Sequence, residues 1–149
     1  LAGGAPAGGR APADRGGELA APPIPQEPSA GTGRRILIVE DGVDAAESLA
    51  TLLEAYGYSA AIALSARSAL EQATLLQPEV VLLDLGLPDM DGYDALERMK
   101  DIQGLGSTRF IALSGRGAPE DLARSRAAGF HAHVVKPPYI ENLLAIISS

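Results

Sequence analysis

Polar residues follow several apolar segments of this sequence at the point where each segment ends. Glu40 and Asp41 follow the first segment, Asp84 ends the third, Ser114 follows the fourth and Lys136 follows the fifth. A single residue of this kind is more often a loop residue or a helix cap than a functional group. Because the arrangement recurs at four segments, we interpret these residues as one site.

The residue types at these positions favour phosphoryl chemistry assisted by a divalent cation. Three carboxylates at one edge of a sheet repel one another, each close pair by about 4 kcal/mol at 4 Å with an effective dielectric near 20. The cluster therefore requires a cation, and oxygen ligands without His or Cys favour Mg²⁺. Ser114 offers a hydroxyl donor and Lys136 a compact positive charge, both suited to phosphoryl oxygens. Asp84 is then the predicted nucleophile, and its product is an aspartyl phosphate.

Five apolar segments alternate with five segments of helical periodicity. The apolar segments are residues 36–39, 60–64, 80–83, 110–113 and 134–135. Strands that are apolar throughout are covered on both faces, and right-handed crossovers join such strands into a parallel sheet. The predicted fold is α/β, a doubly wound five-stranded parallel sheet with five helices. Ligands of such a sheet bind beyond the carboxyl ends of its strands.

The helix boundaries are predicted from capping residues, and the helix faces from apolar periodicity. We assign the leucines of the helices to the core, and Arg124 and Arg126 to a solvated face. The predicted N-caps are Asp44, Ser65 and Asp91, the predicted first helical residue is Pro119, and the predicted helix ends are Gly57 and Gly129.

Composition separates residues 1–33 from the rest of the chain. This segment holds 8 of the 17 Gly and 6 of the 11 Pro, and it has no aromatic residue. Too little apolar area is present to offset about 1–2 kcal/mol of backbone entropy per ordered residue. We therefore predict a disordered Ala/Gly/Pro-rich linker over residues 1–33 and one domain over residues 34–149.

Charge and hydropathy exclude several classes of protein. The 149 residues carry 12 basic and 19 acidic side chains, a net charge of −7, which argues against a nucleic-acid or anionic-membrane partner held by bulk electrostatics. The absence of cysteine excludes a disulfide scaffold and a thiolate zinc site. Uninterrupted apolar runs reach only five residues, against roughly 20 for a membrane span. We expect a cytoplasmic location and no membrane contact by this chain.

Four short motifs resemble those of the response-regulator receiver domain, the CheY-like family. They are Val-Glu-Asp at 39–41, Leu-Asp-Leu-Gly-Leu-Pro-Asp-Met-Asp-Gly at 83–92, Leu-Ser-Gly at 113–115 and Val-Lys-Pro at 135–137. The spacings also fit, with 43 residues from Asp41 to Asp84, 30 from Asp84 to Ser114 and 22 from Ser114 to Lys136. The resemblance covers residues 34–149 and implies the flavodoxin-like strand order 2-1-3-4-5.

The resemblance also implies a partner, a metal ion and roles for individual residues. It implies that Asp84 accepts a phosphoryl group from the phosphohistidine of a histidine kinase or a histidine phosphotransfer protein. Glu40 and Asp41 would hold Mg²⁺ together with Asp84 and the backbone carbonyl of Gly86. The chain would then act in a two-component system or phosphorelay, and catalyse only its own phosphorylation and dephosphorylation.

For the carboxyl-terminal part of the site, the resemblance implies phosphoryl binding and a switch. Ser114 and Lys136 would bind the phosphoryl oxygens, and the peptide before Pro137 would be cis. Ser114 and His133 occupy the switch positions of the family, where His replaces the usual Tyr or Phe. A rival interpretation has His131 and His133, two residues apart on one strand face, binding a metal.

The resemblance leaves the context of the domain open between two forms. The long leader, the first residue Leu1 and the phrasing of the motif around Asp84 resemble the carboxy-terminal receiver of a hybrid sensor histidine kinase. A free-standing single-domain regulator is the alternative. Gly86 and Arg116, each two residues beyond a site residue, match positions where the family varies the lifetime of its phosphoryl group. The missing side chain of Gly86 predicts a short lifetime unless Arg116 covers the site.

Two other classes of protein share parts of this pattern. A phosphatase of the haloacid dehalogenase type also uses an Asp nucleophile after a strand with Mg²⁺, but it needs a second Asp where this sequence has Gly86. A flavodoxin-like electron carrier needs a hydroxyl-rich phosphate loop after the first strand, where Glu40 and Asp41 would repel the flavin phosphate.

Overall fold

A computed structural model of the chain describes residues 33–148. The predicted linker, residues 1–33, lies outside the described residues except for Gly33. The strands are β1 (Arg35–Val39), β2 (Ser59–Ala63), β3 (Val80–Asp84), β4 (Arg109–Ser114) and β5 (Ala132–Val135). The helices are α1 (Val43–Ala55), α2 (Ala66–Leu76), α3 (Gly92–Lys100), α4 (Pro119–Ala128) and α5 (Ile140–Ser148).

The five strands form one parallel sheet in the order β2-β1-β3-β4-β5. The predicted α/β fold and its strand order are confirmed. β3 is buried along its whole length, as its continuous apolar sequence predicts for a central strand covered on both faces. In the pairing of β1 with its neighbours, Ile38 lies opposite Ile62 of β2 and Leu82 of β3.

Alternate residues of the central strands divide between two apolar cores, because successive side chains of a strand point to opposite faces. One core contains Leu37, Val81 and Leu83 with side chains of α2 and α3 such as Ala69 and Leu96. The other contains Ile36, Ile38, Leu82, Leu53 of α1 and Leu143 of α5. Helices therefore cover both faces, and the ends of the strands are left for polar groups.

The capping residues mostly lie where the sequence predicts them. Ser65 accepts a hydrogen bond from Ser68 N at 3.1 Å, Asp91 caps α3, and Pro119 is the first residue of α4. The prediction for Asp44 is wrong. The first helical hydrogen bond of α1 runs from Ala46 N to the carbonyl of Gly42, so Asp44 already lies inside the first turn. Its carboxylate still complements the positive end of the helix dipole there. The predicted helix ends are confirmed, since Gly57 and Gly129 both have positive φ.

The assignment of all helix leucines to the core is also wrong. Leu75 is 84% exposed, Leu52 is 46% exposed and Leu122 is 39% exposed. On α4 the buried residue is Ser125 and not an apolar one. Apolar periodicity fails there because α4 turns a polar side chain toward the sheet, where Ser125 finds a hydrogen-bonding partner.

Three arginines occupy the amino-terminal edge of the sheet, opposite the carboxyl ends of the strands. Arg35 Nη2 donates to the carbonyl of Gln77 at 2.9 Å, just after α2. Arg34 Nη1 donates to Ile147 O at 2.7 Å, and Arg109 Nη1 to Ile146 O at 3.0 Å, both in the last turn of α5. The carbonyls at a helix end lack partners within the helix, so these guanidinium groups complete the ends of α2 and α5.

Over residues 33–148, the longest helix has 13 residues, and none is long and apolar enough to cross a membrane.

Candidate functional site

Three carboxylates meet at the carboxyl ends of β1 and β3. The parallel register pairs Val39 with Leu83, which brings Glu40, the next residue, beside Asp84. Oxygens of Glu40, Asp41 and Asp84 lie within 4.8 Å of one another. Glu40 and Asp84 are only 7% and 4% exposed, whereas Asp41 is exposed. A set of hard oxygen donors at this separation fits Mg²⁺, which binds through carboxylates and keeps several waters.

Lys136 provides positive charge within this cluster. Its Nζ lies 3.1 Å from Glu40 Oε1 and 3.0 Å from Asp84 Oδ2. Burial lowers the pKa of Lys136, but hydrogen bonds to the two carboxylates outweigh that effect, so the pKa lies above its usual value of 10.5. Lys136 N donates to Ser114 O at 2.8 Å, which continues the pairing of β4 with β5 and holds the lysine at this edge. The Lys136–Pro137 peptide is cis. The ammonium thus contacts two of the three carboxylates, and the cluster keeps an excess of negative charge.

The loop that follows β3 fixes the orientation of the Asp84 carboxylate. Gly86 N donates to Asp84 Oδ1 at 2.8 Å, while Oδ2 accepts from Lys136. Gly92 at the start of α3 approaches the loop closely, because a Cβ there would lie 2.7 Å from Leu85 Cα. The absence of a side chain at Gly92 therefore lets α3 pack against the loop. With the loop in this position, each oxygen of the Asp84 carboxylate has a defined hydrogen-bond donor.

Ser114 and His133 belong to a separate set of polar contacts at the same edge. Ser114 is buried at the end of β4, and its Oγ accepts a hydrogen bond from Arg116 N at 3.0 Å. His133 Nε2 lies 2.9 Å from the carbonyl of Arg116, and its Nδ1 lies 2.9 Å from Ser125 Oγ. The ring of His133 therefore bridges the loop after β4 and helix α4.

The alternative metal pair of His131 and His133 has poor geometry. His131 precedes β5, and its Nδ1 accepts a hydrogen bond from Phe110 N at 3.2 Å. Both ring nitrogens of His133 already contact protein atoms. Histidines with these partners do not form a ligand pair.

The predicted site residues line one open cavity of about 620 Å³. The predicted residues that line it are Glu40, Asp41, Asp84, Gly86, Ser114, His133 and Lys136, together with Arg116. The cavity also has lining residues that the sequence pattern did not indicate as functional: Asp91, Tyr93, Asp121 and Arg124. Asp91 and Tyr93 lie at the start of α3, the helix that follows β3. This position is the feature of the sequence that could indicate them as site residues. Nothing in the sequence pairs Arg124 with Tyr93, because they lie on different helices.

Arg124 is exposed, as the sequence predicts, but it is not simply solvated. Its guanidinium carbon lies 4.0 Å from the centroid of the Tyr93 ring. At this distance the cation interacts with the π face of the ring. Arg124 therefore has a defined position beside the cavity.

Comparison with known proteins identifies the family. Residues 36–148 match the model of the response regulator receiver domain. The chain is 34% identical over 110 residues to the transcriptional regulatory protein KdpE of Mycobacterium tuberculosis, covering 74% of this chain and 47% of KdpE. It is 26% identical over 117 residues to protein PilG of Pseudomonas aeruginosa, covering 78% of this chain and 87% of PilG.

A solved structure agrees with this match. The CheY-like receiver domain protein of Methanospirillum hungatei superposes with a TM-score of 0.70 at 31% identity, covering 78% of this chain and 91% of that one. The chain spans about half the length of several curated relatives that it matches, KdpE among them. The chain therefore belongs to the response-regulator receiver family of two-component signalling proteins.

Proposed function

We propose that Asp84 is the phosphoacceptor of this receiver domain and takes its phosphoryl group from a phosphohistidine. The observation that carries the proposal is the position of the Asp84 carboxylate, which lies beside Lys136 and two further carboxylates in an open cavity. A carboxylate oxygen of Asp84 forms a bond to phosphorus while the bond between phosphorus and the imidazole nitrogen breaks. The electron pair of that bond leaves with the imidazole.

The residues around Asp84 fit a magnesium-dependent transfer. Glu40, Asp41 and Asp84, with the backbone carbonyl of Gly86, would hold Mg²⁺. When bound, the ion supplies positive charge that stabilises the phosphoryl oxygens in a loose transition state. Lys136 places its ammonium against the same carboxylate and is the cation suited to a phosphoryl oxygen.

Ser114 and His133 would convert the modification into a change of shape. Ser114 lines the cavity with its hydroxyl and can donate to a phosphoryl oxygen. Its Oγ now accepts from Arg116 N, and the carbonyl of the same Arg116 contacts His133. A movement of Ser114 toward the phosphoryl group would therefore disturb the loop that His133 contacts.

The partners follow from this chemistry, and the context of the domain stays a prediction. A histidine kinase or a histidine phosphotransfer protein would supply the phosphoryl group in the cytoplasm. Matched relatives such as KdpE are named transcriptional regulators and are about twice as long as the matched region. We retain the hybrid histidine kinase as the predicted parent protein and the free-standing regulator as the alternative. The reading frame upstream of Leu1 tests this prediction, because a hybrid kinase requires a kinase core there.

Intact-mass spectrometry after incubation with a small phosphodonor and Mg²⁺ tests the role of Asp84. We expect one phosphoryl adduct that is stable in acid and labile in base, as an acyl phosphate is. The adduct should be absent from Asp84→Asn and from wild-type protein treated with a chelator. The matched control is Asp94→Asn, since Asp94 is exposed on α3 and does not line the cavity. An adduct in Asp84→Asn would contradict the proposal.

A further inference from the structure

The cavity that contains Asp84 has a second wall, which is formed by α3, α4 and the loop before α4. Three side chains with distinct chemistry line this wall: Tyr93 of α3, Arg116 of the loop and Arg124 of α4. None of them belongs to the carboxylate cluster or contacts Lys136. The wall therefore needs an explanation of its own.

Arg124 is held on an aromatic support. Its guanidinium carbon lies 4.0 Å from the Tyr93 ring centroid. The Tyr93 ring in turn packs edge-on against Phe130, with centroids 6.0 Å apart and an interplanar angle of 76°. Phe130 is 5% exposed and belongs to the core, so the support is anchored in the interior. An exposed arginine loses side-chain entropy when it binds a ligand. Because Arg124 is held on Tyr93, part of that entropy is already lost before a ligand binds.

The hydrogen-bond donors of Arg124 are left for a ligand. Within residues 33–148, its guanidinium has neither an ion pair nor a hydrogen bond to the protein. The two carboxylates of this wall are engaged elsewhere, since Asp91 Oδ1 accepts from Tyr93 N at 2.7 Å and Asp121 Oδ2 accepts from Ala118 N at 3.2 Å. Contact with the ring occupies a face of the guanidinium, whereas its five N–H donors lie in its plane.

We propose that Arg124 is a binding residue for the leaving group of small acyl phosphate donors. The inference rests on the proposed function of Asp84 and extends it to the identity of the donor. A guanidinium presents a planar fork that matches a carboxylate or a phosphate through two parallel hydrogen bonds. The cavity that Arg124 lines also contains the nucleophile, so a small donor bound at Asp84 shares that space with the guanidinium.

The reaction explains why a cation is useful at this second wall. An Asp84 oxygen forms a bond to phosphorus, and the bond between phosphorus and the acyl oxygen breaks. The electron pair stays on that oxygen, so the leaving group is a carboxylate anion and no proton has to be supplied. Arg124 stabilises the negative charge that develops on it. A phosphoramidate donor instead releases neutral ammonia from its already protonated nitrogen, so it gives Arg124 no such charge to stabilise.

Initial rates of adduct formation with the two donors test this inference. We measure acetyl phosphate and phosphoramidate separately by intact mass, over a range of donor concentrations, in wild type and in Arg124→Gln. The rate with acetyl phosphate should fall about fivefold relative to the rate with phosphoramidate, as expected for loss of one exposed charge-assisted contact. Arg124→Lys keeps the charge without the fork and should recover part of the difference.

Two further variants separate binding from a structural role. Arg126→Gln removes a charge from the same helix at a position outside the cavity, and it should leave the ratio of the two rates unchanged. Tyr93→Leu removes the aromatic support. Like Arg124→Gln, it should lower the ratio of the rate with acetyl phosphate to the rate with phosphoramidate. An equal loss with both donors, or no loss in Arg124→Gln, would overturn the role of Arg124 while leaving that of Asp84 intact. No adduct in wild type with either donor would overturn both.

Discussion

The two edges of the sheet use charge in opposite ways. At the amino-terminal edge, Arg34, Arg35 and Arg109 donate to carbonyls at the ends of α2 and α5, so each positive charge meets the negative end of a helix. At the carboxyl edge, one lysine contacts two carboxylates of a cluster of three. Charge that is matched within the protein stabilises the fold, and charge in excess is available to a ligand.

The strongest test of this difference is the response of stability to Mg²⁺. An ion that binds only the folded state at a concentration one hundred times its Kd adds about 2.7 kcal/mol to the free energy of unfolding. We expect such a gain in wild type by thermal or urea unfolding. Asp41→Asn should lose most of it, because it removes one ligand and one charge. In the matched control Asp44→Asn the gain should persist, and an equal gain in Asp41→Asn would place the ion elsewhere.

Removing a charge at the opposite edge should affect stability and not chemistry. Arg35→Met keeps the length of the side chain but leaves the carbonyls of Leu76 and Gln77 without their donors. We expect a loss of about 1 kcal/mol in the free energy of unfolding, since the contacts are exposed and water partly replaces them. The rate of phosphoryl adduct formation should stay at the wild-type value. A changed rate would show that the two edges are not independent.

Gly86 tests whether the carboxyl edge is open to water. It is exposed, and a Cβ at this position would lie 3.5 Å from Asp84 Oδ1, an ordinary contact distance. A side chain there fits without distortion and covers the carboxylate. Gly86→Asn should therefore slow the hydrolysis of the aspartyl phosphate by a few-fold, about 0.5–1 kcal/mol of barrier. The decay of the purified adduct measures this, and faster decay in the variant would contradict it.

Asp89 lies between β3 and α3, near the carboxyl edge of the sheet. Its negative charge is matched by groups of the protein, as the charges of the arginines are at the amino-terminal edge. Hydrogen bonds from the backbone amides of Ala66 and Arg67 hold the pKa of Asp89 below its usual 3.8. A lowered pKa means that this group stabilises the fold above pH 3.8 and that the effect is lost as the pH falls through the lowered value.

Thermal unfolding between neutral pH and pH 2 checks this sign. Asp89→Asn should lose less stability than wild type over the acid part of that range, because it has no charge to neutralise. The control Glu71→Gln, an exposed side chain on α2, should follow the wild-type curve. A steeper acid loss in Asp89→Asn than in wild type would contradict the assignment. This is the smallest of the expected effects, because Asp89 is exposed to solvent.

The sequence predicts what depends on local pattern. Buried strands, the order of the motifs and the caps at Ser65 and Asp91 each follow from residues that are close together in the chain. The positions of Asp84 and Lys136 at one edge follow as well, because parallel strands place their carboxyl ends side by side.

The sequence does not predict contacts that depend on how two elements pack. The stacking of Arg124 on Tyr93 and the contact of His133 with Ser125 each join different elements. Periodicity also assigns Leu122 to the core, since it cannot register that Ser125 occupies the buried position of α4. For the same reason, the sequence does not indicate the second wall of the cavity.

The contact between His133 and Ser125 bears on how easily α4 can change its position. A carbonyl can only accept, so His133 Nε2 donates to Arg116 O, while Nδ1 lies 2.9 Å from Ser125 Oγ. The same hydroxyl donates to the carbonyl of Leu122 at 3.0 Å. Because that hydroxyl already has an acceptor within α4, losing the contact with the ring would leave no donor stranded in the interior. A movement of the imidazole away from α4 therefore leaves Ser125 hydrogen-bonded, and its cost falls on the bond from Nε2 to the carbonyl of Arg116.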